Sequence, residues 1–271
     1  MGVVVGTCGW QYRDWRGVLY PRELPGRLWL EEYARQFRTV ESNNAFYRLP
    51  APETFADWRD RTPEGFVMAV KASRYLTHLK RLRDAEEPVR RLLSHAEALG
   101  DKLGPVLLQL PPTLRADPAL LDACLAAFPP DVRVAVEPRH SSWWTPEVRS
   151  VLADRGCALC WADRASRPVT PLWRTADWGY VRFHGGRARP WPRYGPQALR
   201  SWAERIADAW PPEAEVFAYF NNDQGGAAVL DAGLFARFTA APGGGPPGAS
   251  RGGPAGGPPG GSSSGGGEGT H

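Results

Sequence analysis

The sequence predicts a single (β/α)8 TIM-type barrel followed by a disordered Gly/Pro/Ser-rich tail, and three observations carry that prediction. Eight short apolar or β-branched runs recur between residues 1 and 222, segments with helical spacing separate them, and nearly every run ends in a residue able to ionise or hydrogen-bond. Strands alternating with helices imply a parallel sheet of βαβ units, and eight repeats within about 240 residues suit a closed barrel. An open doubly wound sheet would carry a Gly-rich dinucleotide loop after its first strand. The segment in that place, "GTCGWQYRDW", is not G-x-G-x-x-G.

In order, the strand-like runs are "VVVGT", "RTVESN", "FVMAVK", "PVLLQL", "RVAVEP", "CALCWAD", "GYVRFH" and "VFAYFN". The helical segments are "LWLEEYARQF", "PVRRLLSHAEALGDKL", "PALLDACLAAF", "TPEVRSVLADRG" and "PQALRSWAERIADAW". "DPALL" and "TPEVR" place an N-cap residue before a proline at the first helical position, and the glycine of "ADRG" ends a helix.

The chain has 271 residues and is 42% hydrophobic, enough for one large core. Residues 1–240 are read as the barrel domain and 241–271 as a low-complexity tail without aromatics or apolar periodicity, which cannot bury enough surface to offset its chain entropy. The formal net charge of +4 is mild and belongs to the folded part, where it favours anionic ligands. Cys8, Cys124, Cys157 and Cys160 are too few and scattered for a disulfide scaffold. Cys157 and Cys160 match C-x-x-C, but three residues apart on a strand they face opposite ways. The first ten residues lack a basic, long-apolar signal, and no run approaches a membrane span of ~18 apolar residues. The cytoplasm is the expected location.

Barrel chemistry sits at the C-terminal strand ends. Those ends carry Trp10, Glu41, Lys71, Gln109, Glu137, Asp163, His184 and Asn221. Helix-surface charges would scatter; these recur at one point of the repeat. Each also has a structural reading: Lys71 and Glu41 as an ion pair, Arg139 neutralising Glu137, Asp163 as a helix N-cap. In "RFHGG", Tyr180, Arg182 and His184 share one strand face, which is the wall of a polar pocket rather than ordinary core. Gly185 and Gly186 then let backbone N–H groups approach an anionic ligand, with Asn221 and Asn222 as neutral donors from the next strand.

Several motifs together resemble the YecE-like family, also known as domain of unknown function 72. They are "GTCGWQYRDWRGVLYP", "TVESNNAFYRLP", "VKASRYLTH", "LGPVLLQLPP", "VEPRHSSWW", "YVRFHGG" and "YFNND", which run in order over residues 3 to 238. The resemblance implies a TIM-type barrel and leaves the reaction open; the family's association with sugar isomerases is fold analogy. One departure is "HGG" where the family carries "HGR", with Arg187 next in line.

The expected activity is that of an enzyme on a polar small molecule: a sugar, sugar phosphate or polyol. Glu41 and Glu137 are the acid–base pair, with Lys71, Asp163 and His184 as further catalytic candidates. Trp10, Tyr12, Tyr47, Gln109, Arg139, His140, Arg182, Gly185, Gly186, Asn221 and Asn222 are expected to bind substrate. For Trp10, Tyr12 and Tyr47 the competing reading is packing. Glu41, Glu137, Asp163 and His184 form an oxygen-rich set of the kind that takes Mg²⁺ or Mn²⁺, but no metal spacing such as H-E-x-x-H occurs, and Lys71 and Arg182 already supply positive charge. No cofactor is expected. Two alternatives stand beside the enzyme: a nucleic-acid or nucleotide processing protein, drawing on the arginines of "RRLLSH" and "RARPWPR", and a noncatalytic sensor. Oligomeric state is not legible.

Overall fold

A computed structural model describes residues 2–240; Met1 and the expected tail at 241–271 lie outside the described residues. In chain order the elements are β1 (Gly2–Thr7), α1 (Trp29–Gln36), β2 (Thr39–Ser42), α2 (Asn44–Tyr47), α3 (Pro52–Asp60), β3 (Val67–Lys71), α4 (Glu86–Ala96), β4 (Leu103–Gln109), α5 (Pro118–Ala126), β5 (Val134–Glu137) and α6 (Pro146–Asp154). They continue with β6 (Ala158–Leu159), β7 (Trp161–Arg164), β8 (Arg167–Pro168), β9 (Gly179–Phe183), α7 (Pro196–Ala209), β10 (Glu215–Phe220) and α8 (Ala227–Thr239).

Local chemistry explains the boundaries. Asp117 accepts from the Leu120 N–H at 3.0 Å to start α5, and Thr145 accepts from Val148 at 3.4 Å to start α6, each followed by proline. Gly156 takes φ 60° just past α6. The expected long helix from residue 88 stops at Ala96 and continues as 3-10 turns broken at Gly100, φ 59°. Helix α3 was not anticipated; Pro52 opens it, and Phe55 and Trp58, three residues apart, bury one face.

The strands form two sheets, ordered β1-β10-β9-β7-β8 and β2-β3-β4-β5-β6, parallel throughout except for the β7–β8 pair. The parallel α/β architecture is therefore present, while the expected closed eight-stranded ladder is not found as one sheet. The sheets meet twice. A parallel bridge joins Cys8 to Glu41, and β6 runs into β7 through Cys160. The (β/α)8 pattern is also interrupted, because residues 165–178 return from β7 to β9 with no helix. That segment contains Pro168 and Pro171 and has no helical spacing. Its threonines serve strand edges instead: Thr175 accepts from Leu159 N–H and donates to the Cys157 carbonyl, and Thr170 accepts from Ala162 N–H.

One apolar cluster lies between the sheets and the helices. A second joins side chains of both sheets, among them Cys8, Ala69, Leu107, Cys160, Tyr180 and Tyr219. All four cysteines are free and buried, and Cys157 and Cys160 fall in different clusters, as their strand spacing predicts.

Gly6 controls the junction between the sheets. A methyl at this position would land on the Thr39 carbonyl of β2. Gly6→Ala is expected to lower stability by about 1–3 kcal/mol through overpacking. Gly233→Ala in α8, with nothing within 4 Å of the added methyl, is expected to leave stability unchanged or raise it. Thermal unfolding of the two variants beside the parent checks the pair.

Candidate active site

Strand register decides which side chains meet. Gln109 lies beside Glu137, Lys71 beside Leu107, and Tyr219 beside Arg182. On a pleated strand these positions and their i±2 neighbours share a face. The buried result is a cation held between two carboxylates. Arg182 donates from Nη2 to Glu41 Oε1 at 2.8 Å and from Nη1 to Glu137 Oε2 at 2.6 Å. Tyr180 completes Glu41, donating to Oε2 at 2.7 Å. Gln109 Nε2 and His184 Nε2 complete Glu137, each at 2.7 Å.

Burial alone would raise the Glu137 carboxyl, but Arg182, His184 and Arg139 outweigh it and hold the group well below the usual carboxylate range. Glu137 thus stays ionised. Burial lowers His184, against the attraction of Glu137. The neutral imidazole donates from Nε2 to Glu137, while Nδ1 faces the Asn221 amide nitrogen at 3.2 Å and accepts from it. Both carboxylates are therefore committed to buried donors, and Arg182 bonds the two of them while its Nε stays without a partner.

Lys71 differs. It is buried, yet its ammonium makes no hydrogen bond among the described residues and sits 4.0 Å from the centroid of the Phe46 ring. Burial and the nearby Arg182 push it down to about 8, against the pull of Glu41 and Glu137. A cavity of about 380 Å³ opens beside the cluster, with Glu137, His184, Arg139, Arg164 and Trp144 in its wall. A larger one, about 700 Å³, lies at the opposite strand ends among Gly2, Val67 and Glu215, away from the charged cluster.

Other sequence-predicted residues go elsewhere. Asp163 lies in register with outward-facing Phe183; its Oδ1 accepts from Tyr194 at 2.6 Å and its Oδ2 from Trp202 at 2.8 Å, tying β7 to α7. The inward position is Ala162, opposite Arg182. Asn222 donates to Asp231 and to the Pro192 carbonyl. The Gly185 N–H donates to Tyr194 and the Gly186 N–H to Pro192, so neither is free for an anion. Arg182, buried between its carboxylates, likewise cannot serve as the ligand's anion holder. His140 caps a short 3-10 turn by accepting from Ser142 N–H. Trp10 is buried edge-to-face on Trp58, and Tyr12 donates to the Cys8 carbonyl and packs on Trp15. Tyr47 is 75% exposed on the rim. Among the described residues no three His, Cys, Asp or Glu side chains gather as a metal-holding group.

Two mouth residues escaped the sequence reading. Asp223 Oδ1 and Asn43 Oδ1 are buried without hydrogen-bond partners. Burial, opposed by the nearby Tyr12 hydroxyl and aided by Asp14, pushes Asp223 up to about 7. The signal was parity: Asp223 continues the face of Tyr219 and Asn221, and Asn43 that of Thr39 and Glu41.

A family model described as "Protein of unknown function DUF72" matches residues 4–251. The chain belongs to that family. It is 31% identical over 172 residues to UPF0759 protein YecE of Escherichia coli (strain K12), a match covering 62% of this chain and 60% of that relative's length. UPF0759 protein YunF of Bacillus subtilis (strain 168) is 25% identical over 260 residues, covering 84% of this chain and 91% of the relative. The crystal structure of a DUF72 family protein from Thermotoga maritima MSB8 aligns at TM-score 0.76 and 26% identity, covering 88% of this chain and 98% of that one. A DUF72 family protein from Enterococcus faecalis V583 aligns at 0.74 and 23%, over 88% and 95%. No helix among the described residues is long and apolar enough to cross a membrane.

The depressed Lys71 value predicts a stability signature. The folded value of about 8 lies below the ~10.4 of an unfolded lysine, so the cost of burying the ammonium is full below pH 8 and disappears as pH rises towards ~10.4. Lys71→Met is expected to be more stable than the parent at pH 7, by up to about 3 kcal/mol, with the gap closing towards pH 10. Paired denaturant titrations across that range check it.

Proposed function

We propose that this protein is an enzyme that moves a proton on a polar small molecule bearing a carbonyl and an anionic group, a sugar phosphate being the fitting class. One observation carries the reading: Lys71, a buried amine of value about 8 without a hydrogen-bond partner among the described residues, stands beside the Glu41–Arg182–Glu137 cluster, in which two carboxylates share one guanidinium. A group whose value lies near neutrality can both take and release a proton, which is what a general acid–base catalyst needs. The carboxylates assist by holding Arg182 and His184 in place rather than by exchanging protons themselves. Arg139 and Arg164, with the His184 edge, line the adjacent cavity and suit the anionic end of a substrate. In this reading the two sheets are halves of one barrel wall, and the site lies at its C-terminal mouth, where barrel enzymes keep their chemistry. The reaction type, proton transfer next to a carbonyl, is the isomerase kind.

The test is solvent deuterium exchange followed by NMR over a panel of aldose and ketose phosphates. One or more should exchange a carbon-bound proton. Lys71→Met should slow that exchange by about 10²–10⁴-fold, and Arg139→Ala should raise KM while leaving kcat nearly intact. Exchange unchanged in Lys71→Met would remove Lys71 from the chemistry. Binding with no exchange by any member would make the protein a sensor.

A further inference from the structure

The loops leaving the C-terminal strand ends differ in charge from the rest of the molecule. Residues 8–28, 43–51, 72–85, 110–117, 138–145, 165–171, 184–195 and 221–226 carry 15 Lys and Arg against 5 Asp and Glu. The other described residues carry 17 against 23, so the mild total of +4 conceals a mouth of formal +10 on a body of −6. Of the loop cations, Lys80, Arg139 and Arg193 alone form ion pairs among the described residues. Unpaired like charges gathered on one face repel one another, and a polyanion relieves that cost.

The exposed apolar side chains follow the same distribution. Every large one among the described residues except Leu172 and Leu230 lies in these loops, including Tyr47 at 75%, Trp191 at 49% and Tyr75 at 48%. Two are held in place. Trp191 rests on the Gly225 backbone, where a methyl would strike its ring, so the indole is fixed on one side and open on the other. Tyr47 stands edge-on to Phe46 at 5.0 Å, and Phe46 lies beneath Lys71, so rings lead from the rim to the interior site.

We propose that the mouth face docks single-stranded nucleic acid, with rim arginines on the phosphates and Tyr47 and Trp191 stacking on bases. The inference goes beyond the proposed function and concerns docking at the rim alone: a sugar within an intact polynucleotide carries no free carbonyl, so Lys71 is not asked to act on it. Fixed, half-exposed rings fit unpaired bases, whose faces are open; a duplex hides them. A bilayer fits less well, because the rings stand on separate loops around a polar depression containing Arg139, Arg164 and His184 rather than forming one apolar plane.

The experiment is fluorescence anisotropy of the full chain with a labelled oligonucleotide of about 12 nucleotides, at several salt concentrations. With about four phosphates engaged, affinity should fall roughly fiftyfold between 50 and 200 mM salt. Trp191→Ala and Tyr47→Ala, on different loops, should each weaken binding about tenfold, as should Arg189→Glu, while Arg90→Glu on α4 should not; circular dichroism verifies folding. Salt-sensitive binding unaffected by either ring variant, or binding to phosphatidylglycerol vesicles and not to the oligonucleotide, overturns the inference. Calorimetric binding of ribose 5-phosphate without oligonucleotide binding overturns it while sparing the proposed function. Oligonucleotide binding with no proton exchange on any sugar phosphate sustains it while the proposed chemistry fails.

Discussion

The Arg182 guanidinium is the constraint around which the interior is arranged. It projects from β9 in one sheet and bonds Glu41 of β2 and Glu137 of β5, both in the other. The strand ladders do not join the sheets into one, so these bonds span the gap, with Tyr180 to Glu41 and Tyr219 to Thr39 at 2.7 Å in support. A buried cation stripped of one carboxylate costs about 3–5 kcal/mol. The two sheets therefore sit where Arg182 can reach both carboxylates at once.

Those hydrogen bonds also limit which groups can change protonation state. Glu41 and Glu137 share the Arg182 guanidinium and form with it a rigid polar floor. His184 is fixed as a neutral donor by Glu137 on one nitrogen and Asn221 on the other. The groups left able to change state near neutrality are Lys71 and Asp223, at about 8 and about 7. Each is poised mainly by burial, with the floor's charges as a second influence. The floor is thus structural and electrostatic at once.

Much of this was legible from strand alternation. Glu41, Lys71, Gln109, Glu137, Arg182, His184 and Asn221 were picked out as strand-end polar residues, and hydrogen bonds or proximity bring them together. Asp163 was misread because the last polar letter of its run was taken as inward, whereas the pleat turns Ala162 inward and Asp163 out towards Trp202. Asn222 fails by the same one-residue slip. Gly185 and Gly186 have the conformational freedom expected, Gly185 at φ 148°, but the loop folds back and consumes their N–H groups. No local pattern reveals a partner supplied by Tyr194 and Pro192 ten or fewer residues away. Asp223 and Asn43 were within reach, since alternation continued past the strand ends would have placed them on the interior face.

The missing helix after β7 has a consequence for the site. A helix in that crossover would pack along the outside of β6 and β7, and its connecting loop would end near the mouth. Instead the chain doubles back as β8 and an extended segment, whose Thr170 and Thr175 satisfy strand edges that a neighbouring ladder would otherwise cover. Val169 and Thr170 of this segment form one wall of the cavity beside His184, and Arg164 at the end of β7 points charge into the same wall. The gap in the repeat and the opening beside the charged cluster thus have one cause. The proline-bearing segment, which cannot become a helix, lines the cavity next to the imidazole.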